Sequence, residues 1–278
     1  MRSVQHQRGF VVALSLAAMA FIIGFMYLAI STDVSQQAKT RQAQLQDEWL
    51  REARTAMTLW YERNKSSIDA NANAITRADA FAGAGLATTH GVQFQSTARL
   101  TDGAVQYHML VLWLPQLGVT GTGFDAAGVF QQGTKNGAPA EIRYALINGR
   151  NIELETLRAT QNSMRLLVKR LEAWFKIQAQ LEPSQGAMVN YFRADACTGN
   201  PPENRLGCID SYTDFDHNRM DDIRAKLGMS VDDARDDWGG TIQFTNLEGM
   251  PPPPPYSAGL RANTPWGTPT LTRATITD

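Results

Sequence analysis

The chain has 278 residues, with 26 basic against 27 acidic side chains and a net charge of -1. That balance suggests neither nucleic acid nor an anionic membrane surface as a partner, and the length suits one large or two small domains. No Gly-x-Ser-x-Gly, His-Glu-x-x-His or phosphate loop occurs, His90 and His108 stand alone, and the chain reads as non-enzymatic.

A short basic leader with Arg2 and Arg8 ends in Gly9-Phe10, and Phe10 to Ile30 then carry no charge. At about 1.5 Å per residue this run gives roughly 31 Å of helix, enough to cross a bilayer core. Basic residues precede the run and none follows until Lys39, which places the N-terminus in the cytoplasm and residues 31–278 outside. A cleaved secretory signal is the rival reading. Its apolar core normally runs about 7–15 residues, shorter than this one, and Ala29-Ile30-Ser31 is only a fair cleavage site.

No Gly or Pro interrupts Ser31 to Asn64, and good helix formers dominate there. Leu45, Trp49, Ala53, Met57 and Trp60 recur on one face. The pattern predicts one helix from Phe10 to Arg63, about 80 Å long, with an apolar membrane half and an amphipathic half.

A basic leader ending in Gly, then Phe, an unbroken apolar run and an amphipathic continuation resembles type IV pilins and the pseudopilins of type II secretion. The resemblance implies cleavage by a prepilin peptidase between Gly9 and Phe10, methylation of Phe10, and bundling of the apolar halves of many subunits. Most members carry a glutamate four residues beyond the new N-terminus, where it meets a neighbour's terminal amine; this chain has Leu14. Lacking that partner for a charge in lipid, it is more similar to a minor or tip pilin.

Beyond the spine, a short helix is expected at Thr76–Ala82. Val92 to Leu100 alternates, Asp102-Gly103 marks a hairpin, and Val105 to Leu114 reads as the return strand. Gly118 to Gly137 reads as loop, and Glu141 to Ile147 as a strand ended by an Asn148-Gly149 turn. Leu154, Leu157, Met164, Leu167, Leu171 and Trp174 predict a second helix from about Glu153 to Leu181, stopped by Pro183. Glu153, Glu155, Arg158, Lys169, Arg170 and Glu172 read as its solvated face. A helix at Asp221–Leu227, a strand at Thr241–Thr245, a stiff Pro251–Pro255 segment and a strand at Leu271–Ile276 complete the pattern.

Pseudopilins often carry Asp-Pro-Trp-Gly before a strand. Asp236-Asp237-Trp238-Gly239 and Thr264-Pro265-Trp266-Gly267 resemble it without matching fully; in each, Gly permits the turn and Trp caps the core. Trp49, Trp60 and Trp174 are expected in cores, whereas Trp113 reads as core or as an exposed contact.

Cys197 and Cys208 flank a turn-forming segment and read as a local disulfide in an oxidising compartment. Asp214, Asp216, Asn218, Met220 and Asp222 alternate as positions one to nine of a calcium loop do, although Arg219 and Ala225 replace its usual Gly and twelfth-position Glu. The bland alternative is an acidic turn before a helix. No cofactor is required, and structural calcium is the one ion the residues suggest.

The expected fold is α+β. It has a leader at 1–9, a transmembrane or filament-core helix at 10–30, a spine helix with a first antiparallel αβ head at 31–150, and a second αβ unit at 151–278. The expected role is a pilin-like subunit in, or at the tip of, a type IV pilus or secretion pseudopilus. Its partners are then the bacterial inner membrane, other pilin-like subunits and the peptidase, with the head in the periplasm and, after assembly, outside the cell. The alternatives are an uncleaved single-pass envelope scaffold and an anchored adhesin or ligand-binding module.

Overall fold

The computed structural model describes residues 4–87, 91–183, 189–194, 202–247 and 254–277, with side chains from residue 36 onward and those of Met19, Phe21 and Met26. The fold is mixed α+β, with a long N-terminal helix and several small antiparallel sheets. The chain divides into two compact units, Met1–Thr55 and Ala56–Asp278. That division falls inside the first helix, not at residue 150.

Helix α1 (Val4–Ala70) is continuous over 67 residues, about 100 Å by the rise per residue. It passes the expected end at Arg63 because Lys65 to Ala70 contain no Gly or Pro and Ile68 and Asp69 turn inward. Among the described residues no helix is long and apolar enough to cross a membrane. Most side chains of residues 10–30 lie outside that description, so the uncharged run stands as a property of the sequence.

In the unit Ala56–Asp278, α2 (Arg77–Gly83) starts where expected, with the Thr76 side chain accepting from Asp79 N. Strands β1 (Gln93–Ser96), β4 (Met109–Trp113) and β10 (Tyr144–Asn148) form one antiparallel sheet in the order β1-β4-β10. Its central strand buries Leu110, Val111 and Leu112 completely, the continuous apolar run expected of a strand covered on both faces.

The Asp102-Gly103 hairpin forms, but as the separate ribbon β2 (Leu100–Asp102) and β3 (Val105–Tyr107). The predicted return strand to Leu114 is interrupted at His108. Its backbone N–H donates to the Tyr61 hydroxyl at 3.0 Å instead of to a strand. The stretch from Gly118 to Gly137 is more ordered than a loop. It contains the two-residue strands β5 (Val119–Thr120), β6 (Gly123–Phe124), β7 (Phe130–Gln131) and β8 (Thr134–Lys135), with β9 (Ala138–Pro139) following. Phe130 anchors it on Trp113 and Tyr144 at centroid separations of 6.0 and 4.7 Å, so Trp113 belongs to a half-buried aromatic cluster.

Asn148-Gly149 makes no turn. Asn148 is the N-cap of α3 (Gly149–Leu181), its side chain accepting from Asn151 N, so strand passes directly into helix. Gly149 is needed there, because an added Cβ would collide with the His108 carbonyl and stand 2.6 Å from the Tyr61 hydroxyl.

The second sheet has the order β11-β12-β13-β14, all antiparallel: β11 (Thr213–Asp214), β12 (Gln243–Thr245), β13 (Tyr256–Ala262) and β14 (Thr270–Ile276). Strand β13 has no sequence signature, since Ser257, Ala258, Gly259 and Ala262 are too small to show alternation. It nonetheless buries five of its seven residues. Met164, Leu167, Leu171, Trp174 and Phe175 of α3 face this sheet's core, where Phe175 meets Tyr191, Phe192 and Tyr256. Because α3 also contacts β3 and β4, one helix serves both sheets. Helix α4 (Asp221–Leu227) forms as expected. Pro251 to Pro253 lie outside the described residues.

Candidate functional site

The end of α1, the start of α3 and the turn at Asp236–Gly240 meet in a buried polar joint. Asp69, His108 and Glu153 are each 0% exposed. The Tyr61 hydroxyl donates to Asp69 Oδ1 at 2.6 Å, and Trp238 Nε1–H donates to Glu153 Oε2 at 2.7 Å. The remaining oxygens, Asp69 Oδ2 and Glu153 Oε1, meet no N–H or hydroxyl donor among the described residues. Two hydrogen-bonded carboxyls require one proton between them, and burying two full negative charges side by side is prohibitive.

Burial is the first cause that pushes the Asp69 carboxyl up to about 9, with the Tyr61 hydroxyl pulling it down and Glu153 raising it further. Burial likewise raises Glu153, while its hydrogen bonds from Asp69 and Trp238 draw it back. The shared proton therefore sits on Asp69, and Glu153 accepts it. Burial first, and second the negative charge Asp69 carries once it loses that proton, hold Tyr61 as a neutral phenol.

Cations and dipoles surround this pair. Lys65 Nζ donates to Thr156 Oγ1 and Asp237 Oδ2, both at 2.9 Å. Arg99 Nη1 donates to the Asp69 and Ala70 carbonyls at 2.9 and 3.2 Å, capping the C-terminal end of α1. The ring nitrogens of His108 lie 2.9 Å from the Thr97 carbonyl and 3.0 Å from that of Asn71. Both partners are carbonyl oxygens, so the ring bridges two backbone segments.

The two Trp-Gly segments adopt the same turn. Gly239 N donates to the Asp236 carbonyl and Gly267 N to that of Thr264, and both glycines have φ 88, where side chains with a Cβ are strained. Their tryptophans then meet edge to face at 5.6 Å, over Leu157 and Val105. Asp236 Oδ1 fixes the first turn by accepting from Trp238 N and Gly240 N at 3.0 and 2.8 Å. Groups this deeply buried hold elements together and offer no access to a substrate.

Sequence reasoning placed Glu153 on the solvated face of α3, and the structure corrects this. Glu153 lies on the same face as Leu157, Thr160, Met164, Leu167 and Leu171, all buried, so its register was the available signal. Asp69 was not anticipated; it lies eight residues after Tyr61 on the inward side of α1.

The expected calcium ligands do not converge on one point. Asp216 Oδ2 accepts from Thr241 Oγ1 at 3.0 Å, and Asp222 pairs with Lys226 at 2.7 Å. Arg224 donates to the Phe215 carbonyl and to Asp221. Asp214 pairs through β11, Asn218 opens a 3-10 turn at Asn218–Met220, and Met220 points into the core. Among the described residues no group of three or more His, Cys, Asp or Glu is arranged to hold a metal.

Gly9, Phe10 and Leu14 lie in α1 by backbone, and their side chains are outside the described residues. Cys208 is not a free thiol. Its expected partner Cys197 is outside the described residues, as is His90. No protein family, curated protein or solved structure matches the chain.

Proposed function

We propose that the chain is a pilin-like structural subunit, cut between Gly9 and Phe10 by a prepilin peptidase and assembled into or at the tip of a type IV pilus or secretion pseudopilus. The observation that carries this reading is the continuity of α1. One 67-residue helix contains both the uncharged run from Phe10 to Ile30 and the Tyr61 and Asp69 side of the joint. An anchor that ended at the membrane would need no such continuation. A spine that must carry load into a folded head does, and the sealed joint fixes its last turns to α3. In this reading Leu14 makes the subunit a minor or terminal one, Cys197 and Cys208 form the head's disulfide, and the inner membrane and other pilin-like subunits are its partners.

Intact-mass and N-terminal analysis of the membrane form tests the proposal. Methylated Phe10 as the first residue is expected. A retained Met1 would overturn it in favour of an uncleaved envelope scaffold, and a start near Thr32 in favour of a secreted head.

A further inference from the structure

Burial of Glu153 changes the charge of the surface that α3 shows to solvent. Arg158, Arg165, Lys169 and Lys176 are all exposed and follow one another at intervals of seven, four and seven residues. At 3.6 residues per turn they fall within about 20° of a single line roughly 27 Å long. Among the described residues none of the four takes part in an ion pair, unlike Arg170, about a third of a turn away, which meets Asp233 at 3.1 Å. Roughly a quarter-turn away runs a second line. It comprises Leu166, Ile177 and Leu181, which are 61, 53 and 71% exposed.

Between the two lines lie Asn162, Ala173 and Gln180, uncharged and exposed or half-buried. The acids nearby are Glu155, exposed at the N-terminal end, Glu172, half-buried beside the cations, and Asp233, which pairs with Arg170. The balanced charge of the whole chain therefore conceals a strongly basic face with an apolar flank.

The geometry points to this face of α3 as a docking surface for anionic lipid headgroups. A straight line on a cylinder meets a plane along its whole length, so all four cations reach one sheet of headgroups together. The aliphatic line then dips toward the acyl boundary, the arrangement of an interfacial helix, and the cation stems lie along the surface with their heads at the phosphates. A nucleic acid would use the cations but has nothing to offer three large exposed aliphatics, and its phosphates curve away from a straight line. The inference rests on the reading that residues 10–30 hold the chain at a membrane.

The test reconstitutes the full chain into vesicles of phosphatidylcholine alone or mixed with phosphatidylglycerol. Lysines are then acetylated in a short pulse and read site by site by mass spectrometry. Lys169 and Lys176 are expected to react at least about fivefold more slowly in the phosphatidylglycerol vesicles, with Lys135 unchanged and the protection lost in high salt. Replacing two exposed cations, Arg158→Gln with Arg165→Gln, abolishes the protection without touching the core.

Equal rates in both vesicle types, in a chain that resists alkaline extraction, would overturn the inference and leave the anchor standing. Protection by phosphatidylglycerol in a chain that alkali extracts supports the docking face and removes the anchor. Protection by a DNA duplex but not by phosphatidylglycerol overturns it in favour of nucleic acid.

Discussion

At the joint, Asp69 and Glu153 are fully buried, and each carboxyl gives one oxygen to a neutral donor, Tyr61 or Trp238. In the first turn of α4, Asp221 and Asp222 are 65 and 60% exposed and face Arg224 and Lys226. Both clusters place carboxylates at helix ends. They differ in what neutralises them. Lys65 and Arg99 stand near the buried pair but donate to other acceptors, so the pair must retain a proton to lower its charge. The exposed pair faces water and basic neighbours, which screen its charge. The first arrangement ties distant elements together, and the second only decorates a turn.

Breaking the joint at its aromatic member gives the largest effect. Trp238→Ala removes a ring packed on Trp266 and leaves Glu153 Oε2 without its donor. Loss of about 3–5 kcal/mol is expected from the truncation, with the orphaned acceptor adding to it. Denaturant midpoints read the difference. A change below about 1 kcal/mol would mean that the joint is not a stabilising centre.

The shared proton gives a subtler handle. The folded state keeps on Asp69 a proton that the unfolded chain releases near pH 4, so the sign follows from linkage. Stability falls as pH rises from about 4 toward the folded value of about 9, and levels off above it. Asp69→Asn supplies the Tyr61 acceptor and a permanent donor toward Glu153, removing the share of this slope that belongs to Asp69. Melting temperatures across that window should show the variant gaining on the parent as pH rises. Parallel curves would refute a proton shared at this site.

What could be read in the sequence divides along the same line. The helices α2, α3 and α4 and the Asp102-Gly103 hairpin announce themselves through period and turn chemistry. Asn148-Gly149 does not, since Asn caps helices and Asn-Gly makes turns with equal ease, and only the His108 carbonyl close above Gly149 decides between them. Strand β13 is hidden by its small residues, which are small because Tyr212 Oη would stand 2.8 Å from a Cβ at position 259. Of the joint, Trp238 could be placed in a core from its turn motif. Its carboxyl partners could not, because charge argued for solvent while register argued for burial. At Glu153 register was the better guide, and following it exposes the basic line on α3 that the net charge conceals.

The smallest expected effect belongs to the exposed cluster. Asp222→Ala breaks an i,i+4 pair with Lys226, worth about 0.3–0.5 kcal/mol on a helix surface, and the change should shrink further in salt. If instead the loop bound calcium, millimolar calcium would raise the melting temperature of the parent by mass action, and Asp222→Ala would abolish that rise. Arg224, which donates to Asp221 and to the Phe215 carbonyl, adds a positive charge that an ion bound nearby would face. Thermal unfolding with calcium and with chelator therefore separates the two kinds of acidic cluster. Coincident curves leave Asp221 and Asp222 as a salt-screened helix start, and a calcium-dependent shift would turn the loop, rather than the joint, into the ligand-responsive part of the head.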